Sequence, residues 1–234
     1  LVTSWRMTSR REQTADEYGL VIETFLQTRG IPVAAIHGIA ISNVVPPVQQ
    51  TLEWMCEQYF SRTAFFVEPG ANTRMPLLVD APREVGADRY VDAFAASAKY
   101  GAPLIVIDFG TATTFNCVSV HGEFIGGAIA PGIATSVEAL VNPAARLARA
   151  ELVRPKEAIG RNTTTNLQSG AIYGYAGLVD GLVDRMRSEM GGTARVIATG
   201  GNAGLIVDVA RCVELVDQHL RLDGLRMLYE EARA

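Results

Sequence analysis

Apolar and polar residues alternate along this chain in a pattern that predicts strands and helices in turn. Leu1 to Arg6 shows the two-residue period of a half-buried strand, and 14–29 shows a helical period with Thr14 and Glu17 placed to cap its start. Further apolar segments predict strands at 36–45, 64–67, 104–107, 195–198 and 213–216 and helices at 48–59, 87–100, 165–190, 204–210 and 222–234. Strands that alternate with helices indicate an α/β fold whose sheet is covered on both faces.

The strand predicted at 104–107 leads into the segment Asp108–Thr114, which reads DFGTATT. A hairpin is predicted directly afterwards, with strands at 115–120 and 123–130 joined by His121-Gly122. A carboxylate at the end of a buried strand needs a cation or a hydrogen-bond network, and a glycine among hydroxyl groups lets backbone N–H groups approach an anion. The segment therefore predicts either a phosphate-binding loop or a plain tight turn.

Composition excludes several classes of protein. The chain has 234 residues, 48% of them apolar and 20% charged, which is typical of a globular protein with one or two cores. A net charge of -4 without a run of like charges makes nucleic acid an unexpected partner. No apolar stretch approaches the roughly 20 residues that span a bilayer, so no membrane association is expected. Three scattered cysteines and three scattered histidines predict neither disulfides nor a zinc site, and favour a reducing cytoplasm.

A second motif, Pro82–Arg89, reads PREVGADR and precedes a predicted helix. By itself it predicts a capped helix start with an exposed arginine. Together with DFGTATT, however, it resembles the type III pantothenate kinase family, which is also described under the name Bvg accessory factor. Further blocks that match the family's pattern lie at 11–18, 41–46, 126–132, 160–163, 168–175 and 199–201.

The resemblance implies an α/β fold of the actin, Hsp70 and sugar-kinase (ASKHA) superfamily, built from duplicated mixed-sheet domains. Residues 1–100 would then form what remains of the first half, shortened at its amino terminus, with a pantothenate-site loop. Residues 101–234 would form the second half, with the phosphate, adenosine and dimer elements. We expect both halves to show a mixed sheet flanked by helices.

The resemblance also implies an activity, the ATP-dependent phosphorylation of pantothenate to 4'-phosphopantothenate, the first step of coenzyme A biosynthesis. Asp88 would be the general base, since a positioned carboxylate can accept the proton of an alcohol. Gly86, Ala87, Asp88 and Arg89 would line the pantothenate pocket, and Thr163 would contact pantothenate across a dimer interface. Without the family, Thr163 is only one threonine of a polar loop.

ATP would be bound by two glycine-containing segments of the second half. The resemblance assigns phosphate contacts to Gly110, Thr111 and Thr113, and adenosine contacts to Gly200 and Gly201, although the last two also suit a plain strand-to-helix turn. Asp108 would hold a monovalent cation, potassium or ammonium, and magnesium would accompany ATP.

Two departures from the family's pattern affect these expectations. The family opens with a strand that carries Asp-x-Gly-Asn-Thr, the first phosphate loop and a magnesium ligand, and this sequence contains no such string. The sequence as written is therefore expected to be a poor kinase, either as a fragment or as an inactive relative. Val79 stands where the family commonly has a tyrosine that lines the pantothenate pocket.

A homodimer is expected from the helix predicted at 165–190. It carries a broad apolar stripe, and four glycines recur at spacings of three and four, so that a second helix could approach closely. The stripe could instead pack on the protein's own sheet. Two other functions stay open: a non-catalytic dimeric protein that binds a metabolite or regulates a partner, and a chaperone-like ATPase or sugar kinase, which would need a longer chain.

Overall fold

The computed structural model describes residues 1–142 and 151–233. The helices are α1 (Ala15–Gln27), α2 (Gln49–Phe60), α3 (Ala87–Tyr100), α4 (Ile133–Val141), α5 (Thr163–Glu189), α6 (Ala203–Ile206) and α7 (Leu220–Glu231). The strands are β1 (Ile39–Ile41), β2 (Ala64–Phe66), β3 (Leu104–Phe109), β4 (Ala112–Val118), β5 (Phe124–Pro131), β6 (Arg195–Thr199) and β7 (Leu215–Val216). Within these ranges no helix combines the length and the apolarity that a membrane span requires.

A five-stranded mixed sheet forms the second half, in the order β5-β4-β3-β6-β7. β3, β4 and β5 are antiparallel neighbours, whereas β3, β6 and β7 run parallel. β3 is buried on both faces: Ile105 and Ile107 pack towards α5, and Leu104 and Val106 pack towards α3 and α7. The predicted α/β fold with a mixed sheet, its inner strand and the hairpin that follows are confirmed.

The first half differs from the expectation of a second mixed sheet. Its described strands, β1 and β2, form a two-stranded parallel sheet that packs with α1 and α2. Leu1 to Arg6 is not a strand. Trp5 nevertheless stacks on Phe25 at 5.5 Å and Met7 joins the same apolar cluster. Leu1 and Val2 are exposed, so the alternating pattern indicated only the partial burial of Trp5 and carried no information about a backbone partner.

Three further predicted elements are shorter than expected. The strand at 36–45 is confined to β1, because a turn of 3-10 helix at Val33–Ala35 precedes it and another begins at Pro46. The helix at 204–210 shrinks to α6, and the strand at 213–216 to β7. Between α6 and β7, the carboxylate of Asp180 in α5 accepts the backbone N–H groups of residues 211 and 212 and so fixes this stretch of chain against α5.

The apolar stripe of α5 packs on the protein's own sheet. Ile172, Val179 and Val183 are fully buried there, and Leu182 and Met186 lie against the same cluster. The stripe is thus no evidence for a partner helix. The glycines of α5, unlike the stripe, face open space, because a β-carbon added at position 170, 174 or 177 would meet nothing within 4 Å.

The division of the chain at residue 100 stays a prediction. One apolar cluster contains Val67 and Val91 from the first half together with Leu104 and Leu228 from the second. α7 packs on α3 within this cluster. The C-terminal helix therefore brings side chains of both halves to a common edge.

Asp180 gives a test of this arrangement. Burial opposes its ionisation, but hydrogen bonds from Arg211 and Cys212 outweigh that effect and lower the pKa of the Asp180 carboxyl. Asp180→Ala should lower the free energy of unfolding by about 3 kcal/mol, since two backbone donors lose a charged acceptor. Urea unfolding near neutral pH measures the loss, and Asp184→Ala, at an exposed position of the same helix, is the control.

The sign of the pH dependence follows from the lowered pKa. Asp180 stabilises the folded state above its ordinary pKa of about 4, and this contribution disappears as the pH falls through the lower folded value. The difference between wild type and Asp180→Ala should therefore shrink on acidification. A difference that grows towards low pH would contradict the assignment.

Candidate active site

The carboxyl ends of the parallel strands β3 and β6 meet at one edge of the sheet, where Asp108 is paired with Thr199. Crevices at this edge are the usual ligand sites of open α/β sheets. A cavity of about 560 Å³ opens there. Six of the predicted site residues line it, namely Asp88, Asp108, Gly110, Thr111, Gly200 and Gly201.

The turn between β3 and β4 is fixed by hydrogen bonds from the start of α4 and from Asn202. The carbonyl oxygen of Thr111 accepts hydrogen bonds from the Gly132 N–H and from the Thr135 hydroxyl, both at 2.9 Å, at the start of α4. The side chain of Asn202 donates to the Gly110 carbonyl at 3.3 Å. The position of the turn is therefore fixed by the protein itself, and its contact with phosphates stays a prediction.

Gly200 closes the cavity at the end of β6. Its φ of +94° is in the region that favours glycine. A β-carbon here would lie 2.6 Å from the Phe109 nitrogen and closer still to a carboxylate oxygen of Asp108. Only glycine lets the two strand ends approach so closely, and the contact of Gly200 and Gly201 with adenosine stays a prediction.

Asp88 reaches the cavity from the first turn of α3. Gly86 is the N-cap residue of this helix, and a β-carbon on it would lie 2.8 Å from Oδ1 of Asp88. The same Oδ1 accepts the Arg89 N–H at 2.8 Å. Gly86 and Ala87 line a second cavity of about 540 Å³, and Val44 lines both cavities. The start of α3 thus lies between two adjoining spaces.

Arg89 turns away from the cavity that Asp88 lines and towards the β4–β5 hairpin. Its Nε donates to Oδ1 of Asn116 at 2.7 Å, its Nη2 donates to the Phe115 carbonyl at 3.4 Å, and its guanidinium lies 5.6 Å from the centre of the Phe124 ring. Burial lowers the pKa of Arg89, while the Asp88 carboxylate opposes the shift. The side chain is oriented by the hairpin, and its pantothenate contact stays a prediction.

Two other predicted residues lie outside the cavity. The Thr113 hydroxyl is buried 3.2 Å from the Tyr175 hydroxyl of α5, and the neighbouring Thr114 lines the cavity instead. Thr163 is the exposed first residue of α5, whose N-terminus is capped by Asn162. Within this chain, Thr113 and Thr163 therefore do not line the Asp88 cavity. Their contacts with ATP and pantothenate stay predictions.

Sequence reasoning missed an ion bridge at the cavity. Arg221, at the start of α7, donates from Nη2 to Oδ2 of Asp108 at 2.6 Å and from Nε to Oδ1 of Asp92 at 3.0 Å. Burial raises the pKa of Asp92 to about 7, although Arg221 opposes the shift. Burial also opposes the charge on Arg221, but the two carboxylates outweigh it and raise its pKa. The sequence offered one signal for Arg221, which was its position at the start of α7, after β7. Ligands usually bind at this edge of the sheet.

The fit of a monovalent cation at Asp108 can be judged from these contacts. One carboxylate oxygen is bonded to Arg221, and the other is closely packed against Gly200. An ion at Oδ2 would meet the guanidinium charge directly, so the site already holds the charge that the cation would bring. The surroundings of Asp108 therefore do not favour the predicted potassium or ammonium ion, whose binding stays a prediction. For magnesium, residues 1–142 and 151–233 contain no group of three carboxylate, histidine or cysteine side chains that could hold a metal ion.

The inner strand of the mixed sheet runs into Asp-x-Gly-Thr, and Asp88 lines a cavity together with that turn, which is the arrangement that the sequence resemblance leads one to expect. The family model for type III pantothenate kinase matches residues 1–185. Relatives named type III pantothenate kinase are 50% identical in Anaeromyxobacter sp. (strain Fw109-5), over 98% of this chain and 90% of the relative, and 49% identical in Koribacter versatilis, over 98% and 84%. The chain belongs to the type III pantothenate kinase family.

A solved structure has the same fold at lower identity. It is assigned to the Baf family of transcriptional activators, comes from Campylobacter jejuni, and is 20% identical with a TM-score of 0.58 over 91% of this chain and 88% of that one. At this identity the likeness concerns the fold alone.

Proposed function

We propose that this protein transfers the γ-phosphoryl group of ATP to pantothenate and forms 4'-phosphopantothenate, the first step of coenzyme A biosynthesis. One observation carries the proposal: a single cavity brings Asp88 together with the Asp108–Thr111 turn and the Gly200-Gly201 pair. Phosphoryl transfer depends chiefly on positioning and on charge neutralisation, and this cavity provides fixed elements for both.

Each part has a distinct role in the proposed reaction. Gly110 and Thr111 hold the phosphates, and Gly200 lets the nucleotide approach the backbone. Asp88 accepts the proton of the pantothenate hydroxyl during transfer. Arg89, oriented by the hairpin, pairs with the pantothenate carboxylate through the donors that Asn116 and Phe115 leave free. Magnesium bound to the ATP phosphates would neutralise part of their charge.

The proposed enzyme is a homodimer. Its interface is the apolar groove of about 400 Å³ between α4 and α5, lined by Val137 and Leu140 on one side and by Gly170, Gly174 and Leu178 on the other. Leu140 and Leu178 are exposed in the single chain. An apolar groove with open glycines suits a second copy of the same helix pair, related by a twofold axis.

The dimer gives Thr163 its proposed role. Thr163 begins α5, the helix that forms one wall of the groove, and it lies outside the Asp88 cavity of its own chain. We assign its hydroxyl to the pantothenate site of the partner. We also place the enzyme in the cytoplasm, because its three cysteines are free and buried, as suits a reducing compartment.

The direct test is a phosphorylation assay on the complete gene product. ADP release with ATP and magnesium should depend on pantothenate, and mass spectrometry should find pantothenate heavier by one phosphoryl group. Pantetheine, which lacks the carboxylate that Arg89 binds, is the matched control and should be a poorer substrate. Pantothenate binding without ADP release would reject the kinase and favour the accessory, metabolite-binding function.

A further inference from the structure

Arg221 forms an ion bridge at the cavity that the proposed reaction leaves unused. Its Nη2 group bonds Oδ2 of Asp108 at 2.6 Å and also bonds Asp92, while its Nε bonds the other oxygen of Asp92 at 3.0 Å. Asp92 lies on α3 and is fully buried. The guanidinium is therefore anchored from behind by one carboxylate and directed at the other.

The bridge does not use all the donors of the guanidinium. An arginine carries five N–H groups, and those on Nη1 make no hydrogen bond with any residue of 1–142 or 151–233. The Arg221 side chain remains 37% exposed and lines the cavity beside Gly110 and Gly200. One edge of the guanidinium is thus fixed by carboxylates, and donors remain for an anion in the cavity.

Asp108 needs such a positive charge. It is only 8% exposed and stands directly before the turn that is proposed to hold phosphates. A carboxylate without a cation at this point would repel the nucleotide. The family resemblance assigns the compensating charge to a monovalent ion, whereas this chain places a covalently attached cation on the same carboxylate.

We propose that Arg221 replaces the monovalent cation at Asp108 and that the protein binds nucleotide phosphates without potassium or ammonium. This inference rests on the proposed ATP-dependent function. Arg221 offsets the charge of Asp108 with a positive charge that it shares with Asp92, and it offers its remaining N–H groups to a phosphate oxygen. Asp92 is a positioning residue, since it reaches the nucleotide only through Arg221.

The test measures ATP binding and pantothenate phosphorylation at constant magnesium in potassium, ammonium and tetramethylammonium chloride of equal ionic strength. For wild type, the dissociation constant for ATP and the rate should agree within about twofold in all three salts, since screening is held constant. In Arg221→Gln, ATP affinity should fall about tenfold or more in tetramethylammonium, as a charged hydrogen-bond partner is lost, and potassium should restore much of it.

Two further variants separate charge from structure. Arg221→Lys keeps the positive charge but loses the planar fork that bonds Asp92 and Asp108 together, so its ATP affinity in tetramethylammonium should lie between those of wild type and Arg221→Gln. Arg226→Gln removes an arginine of the same helix that pairs with the exposed Glu230, and it should resemble wild type in every salt. A thermal melt of each variant shows whether it is folded.

The proposal is overturned if wild type loses ATP affinity about tenfold or more without potassium or ammonium, a loss that exceeds ordinary salt effects. It is also overturned if folded Arg221→Gln binds ATP as wild type does in tetramethylammonium. Should that variant fail to fold, the wild-type salt series decides alone. ATP binding without pantothenate turnover would reject the proposed function and leave the role of Arg221 to the binding data.

Discussion

Asp88→Asn should lower the rate constant for pantothenate phosphorylation by about a hundredfold or more, the range expected for loss of a general base. The change keeps the size of the side chain and removes its ability to accept a proton. ATP binding should be almost unchanged, because the phosphate turn and the glycine pair come from β3 and β6 and are held by other residues. Single-turnover kinetics and ATP titration on the complete gene product measure the two quantities separately.

A matched control for this experiment is Asp80→Asn, at an exposed position shortly before α3. It changes charge by the same amount without touching the cavity, so its rate should equal that of wild type. If Asp88→Asn turned over at the wild-type rate, Asp88 would not be the base. If it lost ATP binding as well, Asp88 would act on the nucleotide instead.

The elements that were predicted well have local causes. The helix α1 was predicted with its capping box, and Thr14 and Glu17 do form the reciprocal hydrogen bonds at its start. The hairpin after Asp108 was predicted from turn residues and β-branched side chains, and its strands do pair antiparallel, with one register shift between Cys117 and Val118. Each of these signals spans only a few residues, which is why the sequence expresses it directly.

The incorrect strand prediction at Leu1 to Arg6 has a cause at longer range. Leu1 to Arg6 has the period of a strand, but pairing depends on a neighbouring strand that the pattern does not specify. Thr113 and Thr114 could have been distinguished by counting along β4, since Phe115 and Cys117 face the core on the α5 side and Thr113 shares their face. Thr114 then faces the cavity.

The candidate site was predicted in part. Its residues in short sequence motifs were found, whereas a pair that meets only through tertiary packing was missed. Asp88, Asp108 and the glycines belong to short motifs, and the structure gathers them at one sheet edge. Arg221 and Asp92 are 129 residues apart, and their bond exists only because α7 packs on α3. No spacing rule connects two such residues, so single-sequence reasoning could reach Arg221 only through the general position of ligand sites.

Gly170→Leu combined with Gly174→Leu should convert the dimer into monomers and abolish pantothenate binding. A β-carbon at either position would meet nothing within 4 Å in its own chain, so the backbone accommodates the change, and leucine raises helix propensity by up to about 1 kcal/mol per site. In the dimer the same side chains would fill the groove that the second copy needs. Light scattering at micromolar concentration and pantothenate titration measure the two losses.

The control for the groove is Gly177→Leu, which makes the same change on the same helix at an exposed position that does not line the groove. It should remain dimeric and bind pantothenate, because helix propensity alone has been altered. ATP binding should survive in the double variant, since the Asp108–Thr111 turn belongs to a single chain. A wild-type protein that is monomeric at micromolar concentration would refute the dimer and, with it, the assignment of Thr163 to the partner's site. A double variant that stays monomeric yet binds pantothenate normally would refute only the role of Thr163, because the site would then be complete within one chain.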